Sequence, residues 1–243
     1  MKNITLPVPP GGWGADEITA FIDNARLNSF ATYANLRPEY GKVAEIDVLF
    51  RKLVDYLLNT KDWFAAFFLL RAHSAFLAGA HLAMSGQAAE TYASLRLCLE
   101  NGLYGFYLSR NPGSRETWLR RHDSEQAKKT VRGEFTIRNL FDALRGVDGK
   151  EAGVAAQLYE RCIDYGAHPN ERALTVSLKQ ETSQDTVEFR VVYLTDDLVF
   201  FRGCLKTVAQ VGASVLGIFR LVFKERFELT GLTNELNRAK LGL

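Results

Sequence analysis

Residues 63–109 read WFAAFFLLRAHSAFLAGAHLAMSGQAAETYASLRLCLENGLYGFYLS, and this stretch decides the fold. Its first half, Trp63 to Ser85, is apolar nearly all round, the pattern of a helix at the centre of a core. Ser85-Gly86 supplies a turn. The second half, about Ala88 to Ser109, carries Tyr92, Leu95, Leu99, Leu103 and Phe106 along one stripe at helical spacing. Two long helices joined by so short a turn are antiparallel neighbours. Both this first half and Leu205 to Phe223 invite a membrane reading. Arg71, His73 and His81 interrupt the one, and Lys206, Gln210 and Arg220 the other, so burial in protein is the expectation for each.

Upstream, residues 1–14 form a proline-rich arm whose Pro7, Pro9 and Pro10 break any signal-peptide run. Asp16 and Glu17 suit the positive end of a helix reaching Asn35, which Pro38 ends. A second helix is predicted over Val43 to Leu58 from Val43, Ile46, Phe50, Leu53, Val54 and Leu57. The break Asn59 to Asp62 leaves Thr60 or Asp62 to cap the central helix. Downstream, Asn111-Pro112-Gly113-Ser114 is a loop, followed by a short helix over Arg115 to His122. A fifth long helix runs from Glu125 to Leu144, and a sixth from Lys150 to Tyr165 ends at Gly166 before Pro169.

The texture then changes. Leu174, Val176 and Leu178 alternate with polar residues, and so do Val187, Phe189 and Val191 after the polar break Glu181 to Asp185. Period-2 runs on both sides of a polar break predict a β-hairpin. Thr195, Asp196 and Asp197 start a last long helix to Phe227. Its Gly203, Gly212 and Gly217 lower helix propensity, and close helix packing is the expected reason for them. The fold class is therefore mainly α: an up-and-down bundle of five to six helices, one domain over residues 15–243, with one β-hairpin at about 173–194 inserted before the last long helix.

The chain has 243 residues, of which 47% are apolar, including sixteen Phe, enough for a core without staples. Its net charge of +2 gives no global argument for nucleic acid or an anionic membrane. Cys98, Cys162 and Cys204 are odd in number, far apart and set among apolar residues, which points to a reduced cytoplasmic setting. The four histidines form no metal-binding spacing, and His73 and His81 lie about 80° apart on an ideal helix. No metal or cofactor is expected. There is no Walker loop, no G-x-G-x-x-G after a strand and no G-x-S-x-G elbow. The seven Lys or Arg between Arg110 and Arg132 could follow a phosphate backbone, though a solvated helix face accounts for them as well.

Charges on apolar helices carry the most information, because an unpaired buried charge is costly. Arg71 is the only formally charged residue between Asp62 and Glu90. Arg96 and Glu100 stand at i, i+4 and can pair, while Glu90, Glu100 or Asp164 could answer Arg71. Two readings are open: an ion-pair network tying helices together, or a polar pocket built from Arg71, Arg96, Glu100 and Asp164 that holds a small polar ligand. On a helix continued to its end, Arg161 and His168 fall on one stripe, seven residues apart. His168 there can act as acid, base or anchor, or simply cap the helix.

An Arg and a His separated by four to six residues at the end of a helix, inside a helical bundle, resembles the HEPN families. That resemblance implies a helical bundle, often dimeric, and a metal-independent ribonuclease of a defence or toxin system. Arg161 would hold the phosphate and His168 would serve proton transfer. Where active members usually carry a polar residue after the Arg, this chain has Cys162. More broadly, Leu95-Arg96 to Glu100, Trp118 to Arg121 and the closing Ala167-His168-Pro169-Asn170 resemble uncharacterised bacterial helical-bundle families, a likeness that brings no activity. The leading expectation is a helical binding or interaction module for a small polar ligand or a protein, without a membrane, with homodimers within its repertoire. The alternative is a HEPN-type ribonuclease acting on RNA through Arg161 and His168. A third class, a purely structural oligomer, predicts an exposed apolar face.

Overall fold

A computed structural model of the chain describes residues 8–57, 60, 63–176, 178–182, 187–195 and 197–243. The chain is mainly helical. Helix α1 (Glu17–Asn35) is capped by Asp16, whose side chain accepts the Thr19 N–H at 2.9 Å. Trp13 ties the preceding arm to it by donating from Nε1 to Asp23 at 2.9 Å. Pro38 does not end this helix. It occupies the first turn of α2 (Arg37–Tyr56), where its missing N–H costs nothing, and α2 therefore begins earlier than its apolar stripe suggests. Of the predicted break at 59–62, only Thr60 lies within the described residues.

Helices α3 (Phe64–Ser85) and α4 (Ala88–Arg110) form the expected antiparallel hairpin. Gly86 makes the turn at φ 89°, a left-handed conformation that favours glycine, and the Gln87 N–H closes it on the Leu82 carbonyl at 3.0 Å. From α1, Thr32 and Asn28 donate to the Met84 and Ser85 carbonyls, satisfying the open end of α3.

The predicted fifth helix is two. α6 (Glu125–Glu134) follows the short α5 (Pro112–Leu119), and α7 (Ile137–Arg145) restarts after Phe135. Thr136 causes the restart: its hydroxyl accepts the Asn139 N–H, and Asn139 Nδ2 returns to the Glu134 carbonyl. α8 (Gly149–Cys162) then passes into one wider turn over Ile163–Ala167. Where alternation predicted a strand, Glu171–Val176 forms the short helix α9. Leu174 in it is 62% exposed, so this member of the alternating set is not held extended by burial. Strand β1 (Leu178–Thr182) pairs antiparallel with β2 (Val187–Val191), Gln180 opposite Phe189. Residues 183–186, most of the polar break between them, lie outside the described residues.

Helix α10 (Leu198–Val222), capped by Asp197, is the true centre of the core, buried almost continuously from Cys204 to Phe219. Val215 meets Gly102 of α4, and Gly212 lies where a Cβ would stand 2.6 Å from Ile46 and Phe76. Gly203 has open space around it, so close packing does not explain that glycine. α3 was expected at the centre, and instead it keeps an outer face with Phe67, Leu70 and Leu77 exposed. α10 does not run to Phe227. The chain turns at Phe223 into α11 (Lys224–Leu229), and after Gly231 into α12 (Leu232–Ala239), which buries Leu232, Leu236 and Ala239. α3 and α10 are both long and apolar enough to cross a membrane, and most of α10 is buried in protein.

Candidate ligand-binding cleft

Asp148 starts α8 by accepting the Glu151 N–H at 2.9 Å. The helical repeat then sets Glu151, Val154, Leu158 and Arg161 along one side of α8. With Gln210, Ser214 and Arg220 of α10 and Lys240 just past α12, they line a cleft of about 390 Å³. That is within the usual range of small-molecule sites, roughly 300–1,000 Å³.

Glu151 lies at the base of the cleft, its side chain 8% exposed. Its carboxylate accepts from Ser214 Oγ at 3.1 Å and from Lys240 Nζ at 2.9 Å. It can lie this close to α10 because residue 217 is glycine; a Cβ there would stand 2.6 Å from the carboxylate carbon. Asp148 is likewise engaged, with Arg220 Nη2 at 3.4 Å from its Oδ2. Arg161 differs. Its Nη1 donates to the neutral Gln210 Oε1 at 2.7 Å, and no carboxylate among the described residues pairs with it. The cleft therefore holds one guanidinium that no counter-charge among the described residues pairs.

A second polar group lies between α4 and the end of α8. Arg96 Nε donates to Glu100 Oε1 at 2.9 Å and to the Tyr159 hydroxyl at 3.0 Å, and its Nη1 reaches the Ala167 carbonyl at 3.2 Å. Tyr159 in turn donates to Glu100 at 3.0 Å. Burial, reinforced by the neighbouring Glu100 charge, pushes the Tyr159 phenol up to about 12. Every member of this group has a partner within it, which makes it a clasp on the wider turn. The clasp holds Gly166 against α4 so tightly that a Cβ would stand 2.6 Å from Ala89 Cα.

The residues expected to form one pocket thus divide. Arg96 and Glu100 belong to the clasp and Arg161 to the cleft. Asp164 pairs at the surface with Arg172, 3.2 Å away. Arg71 is exposed on α3 and joins neither group. His168 is exposed, extended in backbone, with Nδ1 3.2 Å from the Pro169 carbonyl oxygen. The wider turn and the non-helical Gly166 end the α8 stripe before His168, so the shared stripe with Arg161 does not form. His73 is paired with Asp47 at 2.6 Å and stacked on Phe50, and no group of three metal-ligating side chains occurs among the described residues.

Read from sequence, Gln210 is only a polar break in an apolar run, and Glu151, Ser214 and Lys240 are not singled out as site residues. Glu151 had a readable signal, a carboxylate on the apolar stripe of α8, as did Ser214 and Gly217, a notch in an otherwise bulky helix. Lys240 had none, because only the chain reversal at Gly231 brings it there. No family model, no curated protein and no solved structure matches the chain.

Proposed function

We propose that this chain is a helical binding module whose cleft between α8, α10 and α12 takes a small organic or inorganic anion. The reading rests on Arg161, a cation held in place by a neutral amide in a cavity of ligand size. An incoming carboxylate or phosphate oxygen would accept a charge-assisted bond from it, the stronger class of hydrogen bond. Gln210 and Lys240 line the same cleft, and the Gln210 amide nitrogen and the remaining Lys240 ammonium hydrogens supply further donors. The same reading treats the chain as one bundle of five to six principal helices with the hairpin inserted before the last long one. It places the protein in a reducing, cytoplasmic setting, in keeping with three free and buried thiols.

Thermal unfolding in the presence of inorganic phosphate, malonate or citrate tests this directly. A ligand at a hundred times its Kd stabilises by about 2.7 kcal/mol, and Arg161→Gln should abolish that stabilisation while leaving the ligand-free Tm near its starting value. No anion-dependent shift, or a shift that survives in Arg161→Gln, refutes the proposal. The ribonuclease alternative requires Arg161 and His168 on one phosphate, and the two side chains make no common contact. Cleavage of structured RNA that persists in EDTA and is lost in His168→Ala would replace the binding reading with that one.

A further inference from the structure

The outer face of the α3–α4 hairpin is largely apolar and bare. Phe67, Leu70 and Leu77 of α3 are 54%, 47% and 40% exposed, and Leu97 of α4 is 42% exposed. Ser74, Ala78 and Ala93, small and exposed, keep the face flat between them, and His81, exposed one turn past Leu77, adds a polar ring to it. It is bounded at both ends. Trp118 of α5 packs over Phe64 and Phe68 at one, and the base of the hairpin, Val191 to Tyr193, walls Glu90 at the other. The open part spans about sixteen helical residues, roughly 25 Å by 20 Å for two helices side by side, or about 500 Å². That is a contiguous patch of the size that marks an interaction site, and it sits toward the lower end of specific protein interfaces.

Two charges flank it, and neither has a polar partner among the described residues. Arg71 lies near one end and Glu90 near the other. Their levels follow from the register of the hairpin. A Cβ on Gly79 would touch Leu95, so Leu77 stands level with Leu97. From that level Arg71 is six residues away in one direction and Glu90 is seven away in the other, about 9 Å and 10 Å. A two-fold axis lying in the plane of the face, across both helices at the level of Leu77 and Leu97, exchanges those two levels; it sets α3 on the partner's α3 and Arg71 diagonally across from the partner's Glu90.

We infer that a second copy of this chain covers this face, the two α3–α4 hairpins packing antiparallel about Leu77 and Leu97, with Arg71 of each copy against Glu90 of the partner subunit. The apolar centre is self-complementary, as an isologous contact requires. The charges pair twice across it, fixing the antiparallel register over the parallel one. Glu90 opens onto a small cleft of about 210 Å³ beside Tyr193, space for the incoming guanidinium. The modest footprint makes the dimer reversible on dilution.

Sedimentation velocity over a concentration series tests the interface. Wild-type protein should shift from monomer to dimer, and Leu77→Glu with Leu97→Glu should remain monomeric with a Tm close to that of wild-type protein dilute enough to be monomeric, since both side chains reach the surface. Arg71→Glu alone and Glu90→Arg alone should each raise the dissociation constant about tenfold or more, and the Arg71→Glu/Glu90→Arg double variant should restore it. A protein monomeric at every concentration overturns the inference, as does a dimer indifferent to Leu77 and Leu97. Single reversals that weaken the dimer without rescue by the double variant overturn the antiparallel register. A monomer that floats with phosphatidylcholine vesicles through the same leucines gives the face to a bilayer instead.

Discussion

Three glycines show how one residue type carries opposite consequences. At Gly217 a Cβ would press on the carboxylate of Glu151, and at Gly166 it would press on the backbone of Ala89, while at Gly203 it would meet nothing. Overpacking a filled site costs about 1–3 kcal/mol, so Gly217→Ala should lose that much in urea denaturation. Gly166→Ala should lie at the upper end of the range, because a backbone cannot rotate aside as a side chain can. Gly203→Ala, in an exposed helix interior, should gain about 0.4–1 kcal/mol. Should Gly203→Ala destabilise as Gly217→Ala does, the explanation given for Gly217 fails. In the sequence Gly203, Gly212 and Gly217 look alike, three defects in a helix. What separates them is the residue opposite each, and that residue comes from another part of the chain.

At the scale of the element, most starts were readable because capping is local. Asp16 and Asp197 stand just before the helices they cap, and each accepts a backbone N–H from the first turn. Interruptions were harder to see, since a short cap can be lost inside a long periodic run. Thr136 restarts α7 within what reads as one helix, and Thr136→Ala should cost about 1 kcal/mol, a loss visible in chemical denaturation. The candidate site was legible only in part for a related reason. Arg96 with Glu100 was found because the pair is i, i+4 on one helix, whereas the cleft is assembled from three helices that meet only after the chain turns at Phe223 and Gly231. The two polar groups predict separable variants. Arg96→Ala unclasps the turn after α8 and should lower the Tm while leaving anion affinity near its starting value. Arg161→Gln should do the reverse. A variant of Arg96 that abolishes anion stabilisation at unchanged Tm would show that the clasp, not the cleft, binds the ligand.

For the molecule as a whole, the groups that burial perturbs set the pH limits of stability. Burial raises Asp47, but hydrogen bonds from Arg51 and His73, with their charges, more than offset it and leave the carboxyl below its usual range. The folded state thus keeps Asp47 ionised at a pH where the unfolded chain would protonate it. Its contribution is present above the ordinary value of 3.8 and is lost as pH falls below it. The alkaline limb runs the other way. Burial pushes the Cys162 and Cys204 thiols up to about 12 from an ordinary 9.0, and Tyr159 to about 12 from 10.0. Between pH 9 and 12 the unfolded thiols give up protons that the folded ones retain, so stability falls as pH rises through that window. Each thiol contributes a slope approaching about 1.4 kcal/mol per pH unit. Stability should therefore plateau between about pH 5 and 8 and decline on both sides, more steeply on the alkaline one. The measurement is unfolding free energy against pH for the wild type and for Cys162→Ala/Cys204→Ala. The double variant should be less stable at pH 7, from the lost packing, yet decline less between pH 9 and 12. An alkaline limb of equal steepness in both proteins would mean that these thiols ionise as readily in the fold as out of it, and that the core around α4, α8 and α10 admits water.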